Sequence, residues 1–364
     1  MLKLPTCFTP RFFLIVAIAI TLVFDPAQGP AVAIADDADP PYETYLPLIA
    51  KGGIEWTFHK TADGQHPNGN EQQMMWLMNR ARANPAQEGY WLATTTESDI
   101  AHARSYFNVN TSVLRSEFNS YVAKPPAVFD VRMYNGSKVH SDDLIARDAQ
   151  DHSNQFARIE SAGFFCWGGR ANVFSYAGSS LNAHGAFNID WGGSDYGMQS
   201  GRGHRKAIMS LDGDYTNVGI AMVQAPSSKN VGPLVTSAAY CNANTSKANH
   251  FNRFIVGTVW RDNNGNSRYD PGEGYGNVSV TPDQGKYYAV TGVAGGYAIP
   301  IETAGTYRLT FSGAVSGKVT VTVGSISVLA DLLVPGGGGA QVIELPTAEP
   351  TLPVQVPPPG IQWP

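Results

Sequence analysis

Cysteine is scarce in this chain, with three residues in 364, and none sits in a recognisable catalytic context. Long apolar runs are missing after the first 35 residues, so nothing later can span a bilayer as a helix. Positive charge does not cluster, and the net charge is −5; this excludes the basic footprint that nucleic acid or an anionic membrane surface needs. No His-Glu-x-x-His helix, no Gly-x-Ser-x-Gly elbow and no phosphate-binding glycine loop occurs. Any hydrolytic site would have to be assembled in space from dispersed residues.

The N-terminus is what is most plainly there. Lys3 and Arg11 precede the run FFLIVAIAITLVF and then small residues, the pattern of a signal peptide rather than an anchor. Residues 1–35 are assigned to it, with cleavage after Ala33-Ile34-Ala35 and Ala27-Gln28-Gly29 as the alternative. Lys3, Arg11 and Asp25 leave with it, which takes the charge to about −6. Cys7 leaves as well. Cys166 and Cys241 then remain in an oxidising compartment, where a disulfide is expected over two buried thiols. Residues 36–55, rich in Pro and Asp, read as a linker, and the remaining length suits two domains.

The first domain is expected over residues 56–249. Asn70 with Gln73 reads as a helix N-cap and its capping-box partner. Met74, Met75, Leu77, Met78 and Ala81 recur at helical spacing and are read as core rather than as an adaptable groove. Arg80 and Arg82 lie off that face. Asn84-Pro85 ends the helix, because the residue before proline is pushed out of the α region. Residues 92–124 are polar and carry no legible chemistry. A helix from about Tyr134 to Phe156 follows, carrying His140 and His152. Then come ESAGFFCWGGRANVFSYAG, a helix-like SSLNAHGAFNIDWG, and MQSGRGHRKAIMSLDGDYTNVGIAMV with His204.

Taken in order, EQQMMWLMNRARANPA, PPAVFD, the His-Ser pair, the helix with Trp191, GHR and NVGIA resemble the CAP superfamily, also called SCP. The resemblance implies an α-β-α sandwich with a cleft where two histidines and two glutamates often hold a divalent metal, usually zinc. His152 matches the first histidine and His204 the second. Ala171 and Ser194 stand where the glutamates are expected. Two histidines fall short of the three or four ligands zinc takes, so only weak zinc binding is expected. His184, Asp190 and Asp195 are possible auxiliaries of the cleft, each with an ordinary packing or solvent-facing explanation. His140 is expected to be structural.

The second domain is expected over residues 250–335. FIVGTVW, NVSVT, KYYAVT, GYAIPI, TYRLTF, KVTVTV and SISVLADLLV are short β-rich runs between Gly, Asn and Pro turns, which predicts a small antiparallel sandwich. This stretch resembles SdrD B-type and carboxypeptidase-regulatory-like modules, and the resemblance implies an immunoglobulin-like spacer. Asp262, Asn264, Asn266, Asp270 and Glu273, with the carbonyl of Arg268, take positions one, three, five, nine and twelve, and seven, of an EF-hand-like loop. Calcium is expected there, although Ser267 stands at the usual glycine of the turn. Residues 336–364 form a Gly- then Pro-rich tail, expected to be extended and unpacked.

The fold class read from sequence is therefore α+β: a CAP-type α-β-α sandwich followed by an all-β immunoglobulin-like sandwich. The expected function is a secreted, non-catalytic binding module for a small-molecule, lipid-like or peptide ligand, or an envelope ligand, in the central cleft or a flanking groove. The alternatives are an extracellular hydrolase using His152 and His204, or a structural envelope or adhesion component.

Overall fold

Residues 53–335 and 341–343 are described by the structure, a computed structural model. The expected signal peptide, most of the linker and most of the tail lie outside the described residues. Among those described, no helix is long and apolar enough to cross a membrane.

The helical half contains β1 (Ile54–Glu55), α1 (Gly69–Ala83), α2 (Pro85–Thr94), α3 (Ser98–Tyr106), α4 (Thr111–Asn119) and β2 (Val128–Phe129). It continues with α5 (Val131–Arg147), α6 (Gln155–Ser161), β3 (Cys166–Ala177), α7 (Ser180–Ile189), α8 (Gly203–Ile208), β4 (Asn217–Gln224) and β5 (Leu234–Ala243). Its sheet runs β2-β4-β5-β3, with β3 at an edge. The alternation of β5 divides two cores. Ala238 and Tyr240 pack with Met74, Leu77, Phe187 and Ile208 of α1, α7 and α8. Ala239 and Cys241 pack with Met133 and Ile159 of α5 and α6 on the other face. Helices therefore cover both faces. A Cβ on Gly219 of β4 would lie 2.1 Å from the Met133 carbonyl carbon, so only glycine lets α5 approach so closely. Cys166 and Cys241 form a disulfide between β3 and β5, with Cα atoms 5.6 Å apart.

Several local expectations shift. The first helix is capped by Asn68 and Glu71, whose side chains reciprocally take the end's amides, rather than by Asn70 and Gln73. Arg82 is fully buried, donating to the carbonyls of Ile208 and Tyr215; a polar residue off the apolar stripe was recruited to tie a loop. The helix expected to reach Phe156 ends at Arg147. Asp148 adopts φ 56, which Asp tolerates, and its carboxylate takes the amides of Asn230 and Val231. His152 consequently sits in the connection between α5 and α6.

The β half comprises β6 (Phe254–Trp260), β7 (Val278–Pro282), β8 (Tyr287–Val290), β9 (Gly296–Pro300), β10 (Gly305–Gly313), β11 (Gly317–Val323), β12 (Val328–Leu329), β13 (Asp331–Leu333) and β14 (Gln341–Ile343). One sheet runs β1-β8-β7-β10-β11. The other runs β12-β6-β13-β14, with β9 also on β6. Ile255, Val259, Val280, Leu309, Val321 and Leu332 from both sheets share one core. Two segments read from the sequence as extended linker and extended tail join these sheets. Ile54–Glu55, assigned to the linker, pairs parallel with β8, and Trp56 packs into this β core. Gln341–Ile343, inside the tail, pairs with β13. Each gives an otherwise open strand edge a partner for its backbone groups.

Candidate functional site

The two histidines singled out in the sequence approach the edge strand β3 from its two faces. On the α7–α8 side, Asp190 ends α7 in a left-handed conformation. Its buried carboxylate accepts from His204 Nδ1 at 2.7 Å and from the His204 amide at 3.0 Å. Phe187 stacks on the His204 ring at 5.8 Å. The next residue, Arg205, is buried and donates to the terminal α7 carbonyls of Asn188 and Ile189, groups a helix end cannot satisfy alone. So Gly-His-Arg closes α7 and aims the imidazole together. On the α5–α6 side, the exposed His152 is joined through Nδ1 to Gln155 Oε1 at 2.9 Å. Asn172 lies between them: its amide donates to the His204 carbonyl at 3.0 Å, and its Oδ1 is buried without a partner. Ala171, one residue earlier on β3, faces the His152 side.

The remaining sequence candidates go elsewhere. His184 is fully buried against Glu88 of α2 at 2.8 Å, away from His204, because its helix turns that face into the core. Burial holds its pKa below the ordinary value, with Glu88 opposing. Asp195 and Ser194 lie exposed on a turn, and Ser194 Oγ donates to the Met198 carbonyl. His140 is buried between the Asp151 carbonyl and Arg158. Among the described residues no group of three His, Cys, Asp or Glu side chains comes together as metal ligands. His152 and His204 by themselves fall short of the three or four protein ligands that zinc takes.

The loop after β6 is closed by its own hydrogen bonds. Asp262 accepts the amides of Gly265, Asn266 and Ser267, and Glu273 those of Asn263 and Asp270. Asn264 and Asn266 both donate to Asp270 Oδ2, at 2.7 and 2.6 Å. A half-turn of each amide would present oxygen instead of nitrogen. Arg268 turns its guanidinium to Asp270 and to Glu97 of the helical half.

One enclosed concavity has no counterpart among the sequence candidates. It lies where α1, α2 and β2 meet β6, β9, β12 and β13, with a volume of about 560 Å³, within the range of small-molecule sites. Met75, Trp76, Trp91, Trp260, Tyr297 and Leu333 form much of its wall. The halves are pinned around it by Gln72 to Thr258 at 2.8 Å and by Gln73 to Asp270 at 2.6 Å. Trp76 Nε1 adds a third tie, donating to Asp331 Oδ2 at 3.0 Å. The Arg80 guanidinium carbon lies 4.4 Å from the Trp91 ring centroid and 5.4 Å from that of Trp76. Arg80 is also paired with Glu88 at 2.7 Å. Three groups in the wall are poorly matched, the first being His59, whose Nδ1 is buried without a partner. Trp260 Nε1 is buried without a partner, and burial pushes the Asp331 carboxyl up to about 7. A lone acid inside the apolar run SISVLADLLV was the sequence signal for Asp331, and Trp76 was hidden within the methionine stripe.

No protein-family model matches the chain, and no curated protein matches it. Among solved structures it is similar to an extracellular protein containing a SCP domain from Bacillus anthracis str. Ames, at 14% identity and a TM-score of 0.26. The overlap covers 40% of this chain and 40% of that one. So small and distant an overlap assigns neither family nor activity.

Proposed function

We propose that this chain is an exported binding protein, without catalysis of its own, whose ligand occupies the cavity between the helical and β halves. The observation that carries this reading is the cavity of about 560 Å³ with three tryptophans in its wall and the unpartnered Trp260 Nε1. Aromatic walls offer large apolar contact, and a buried donor without a partner is costly until something accepts from it. The leader-like N-terminus and the disulfide agree with export. The loop from Asp262 to Glu273 is proposed to take calcium once its two amides turn, which would steady the β half beside the cavity. The test is a ligand-observed NMR fragment screen on the full chain, repeated with Leu333→Trp to fill the cavity. Binders should be lost in the variant. A screen in which no binder is lost on filling overturns the reading.

A second reading rests on the Asp190–His204 pair, where a buried carboxylate orients an imidazole whose Nδ1 is engaged. This is an acid/base arrangement, and His204 would be its working group. Hydrolysis of ester or peptide substrates that survives His204→Gln unchanged would remove it.

A further inference from the structure

We infer that the cavity recognises an organic cation, an ammonium group carried on an apolar body, with the ammonium seated at Asp331. The inference rests on the cavity being the binding site. Most buried acids of this chain carry a basic partner: Glu71 has His66, Glu88 has Arg80 and His184, Asp130 has Arg132, and Asp190 has His204. Among the described residues, two buried acids have no ion pair, Glu273 and Asp331. Glu273 is turned into its own loop. Asp331 lines the cavity.

Each Asp331 oxygen has a single donor, Thr258 N–H at 2.8 Å for Oδ1 and Trp76 Nε1–H for Oδ2. A carboxylate oxygen has two acceptor sites, so one remains on each. The cations nearest the cavity are already engaged. Arg80 on α1 is held by Glu88 of α2, and Arg268 by Glu97 and Asp270. His59, also in the wall, is held neutral near pH 7 by burial and by Lys60, with a pKa of about 4. Tyr297 on β9 keeps its proton through burial and the nearby Asp331. Asp262 in the loop is covered by three backbone amides. The wall therefore contains an acid without an ion pair, while His59, whose Nδ1 is left unpartnered, is neutral and brings no counter-charge. The rings of Trp76 and Tyr297 favour positive charge through their faces, and Arg80 already uses one such face. Seating an ammonium converts Asp331 from acid to carboxylate and releases one proton to solvent wherever the carboxyl was protonated beforehand.

The experiment is isothermal titration of the full chain with 4-phenylbutylamine and its neutral counterpart 4-phenylbutanol, at pH 8 and pH 5.5. At pH 8 the amine should bind at least tenfold more tightly than the alcohol. Because the acid must lose its proton, that advantage should shrink by about tenfold per pH unit below 7, while the alcohol is indifferent to pH. Asp331→Asn should abolish the preference and keep alcohol binding. If that variant does not fold, the wild-type pH profile decides. Equal binding of the two probes at pH 8 overturns the ammonium inference and leaves the cavity reading standing. Amine binding that persists in Leu333→Trp, or no binding of either probe, overturns the inference as well. Failure of the cavity reading is shown separately, by the fragment screen.

Discussion

The surroundings of His152 and His204 and the cavity between the halves differ in how their charges are matched. Each of the two histidines has a partner within 3 Å: His204 has Asp190 at 2.7 Å, and His152 has Gln155 at 2.9 Å. Matched groups of this kind hold a structure together and leave little for a ligand to improve. In the cavity, Glu88 is matched by Arg80 and His184, whereas Asp331, on the facing sheet, is not matched by any base. A buried acid without a counter-charge is a cost that the fold carries, and it marks the place where a ligand has most to gain.

The sharpest way to break this comparison is to unmatch the matched acid. Burial alone would raise the Glu88 pKa, yet Arg80 and then His184 bring it below the ordinary value. Glu88→Ala strands both bases in the core and should cost about 3–5 kcal/mol in chemical denaturation. A loss under about 1 kcal/mol would mean the pairing is irrelevant.

The unmatched acid should show itself in pH dependence. Asp331 is raised from 3.8 to about 7, so the folded state holds the proton more tightly than the unfolded one. Stability from this group is full below about pH 4 and is lost as pH rises towards 7, by at most about 4 kcal/mol. Asp331→Asn should flatten that slope, although its amide places one N–H against a donor. Identical slopes in wild type and variant would remove Asp331 as the cause.

Calcium comes next in size. At a free concentration a hundred times Kd it should stabilise the full chain by about 2.7 kcal/mol, raising the melting midpoint by a few degrees. Glu273→Ala should cancel the shift. A wild-type midpoint indifferent to calcium and to chelator would show the loop to be a turn closed by its own hydrogen bonds.

The smallest effects separate the two histidines. His204→Ala leaves the buried Asp190 with its backbone partners alone and should cost about 1–3 kcal/mol. His152, exposed and bonded to one side chain, should change stability by less than about 0.5 kcal/mol when replaced by Ala. Equal losses would contradict the asymmetry of their surroundings.

Much of this molecule is written locally. The β-rich runs after Asn249 became strands, the first long helix stops at Ala83 before Asn84-Pro85, and the two remaining cysteines are joined. Periodicity and proline act over a few residues, so the chain states them wherever it is read. Met75 shows the limit: its place on an apolar helical stripe was legible, but not that it would line a cavity while Met74, Leu77 and Met78 pack in the core. His184 shared a helical face with Asn188, yet its partner, Glu88, comes from another helix.

What tertiary structure alone decided is which halves of the chain meet and what their polar atoms find there. Trp76 and Asp331 are 255 residues apart, and no local pattern couples them. Strand β1, far from the β half in sequence, completes one of its sheets. The environment of Asp331 is a property of that docking: helix α1 shields it from water and supplies an indole donor but no base. Local sequence sets which face of an element is apolar. Only long-range packing sets the dielectric and the counter-charges around a buried group, and those decide its chemistry.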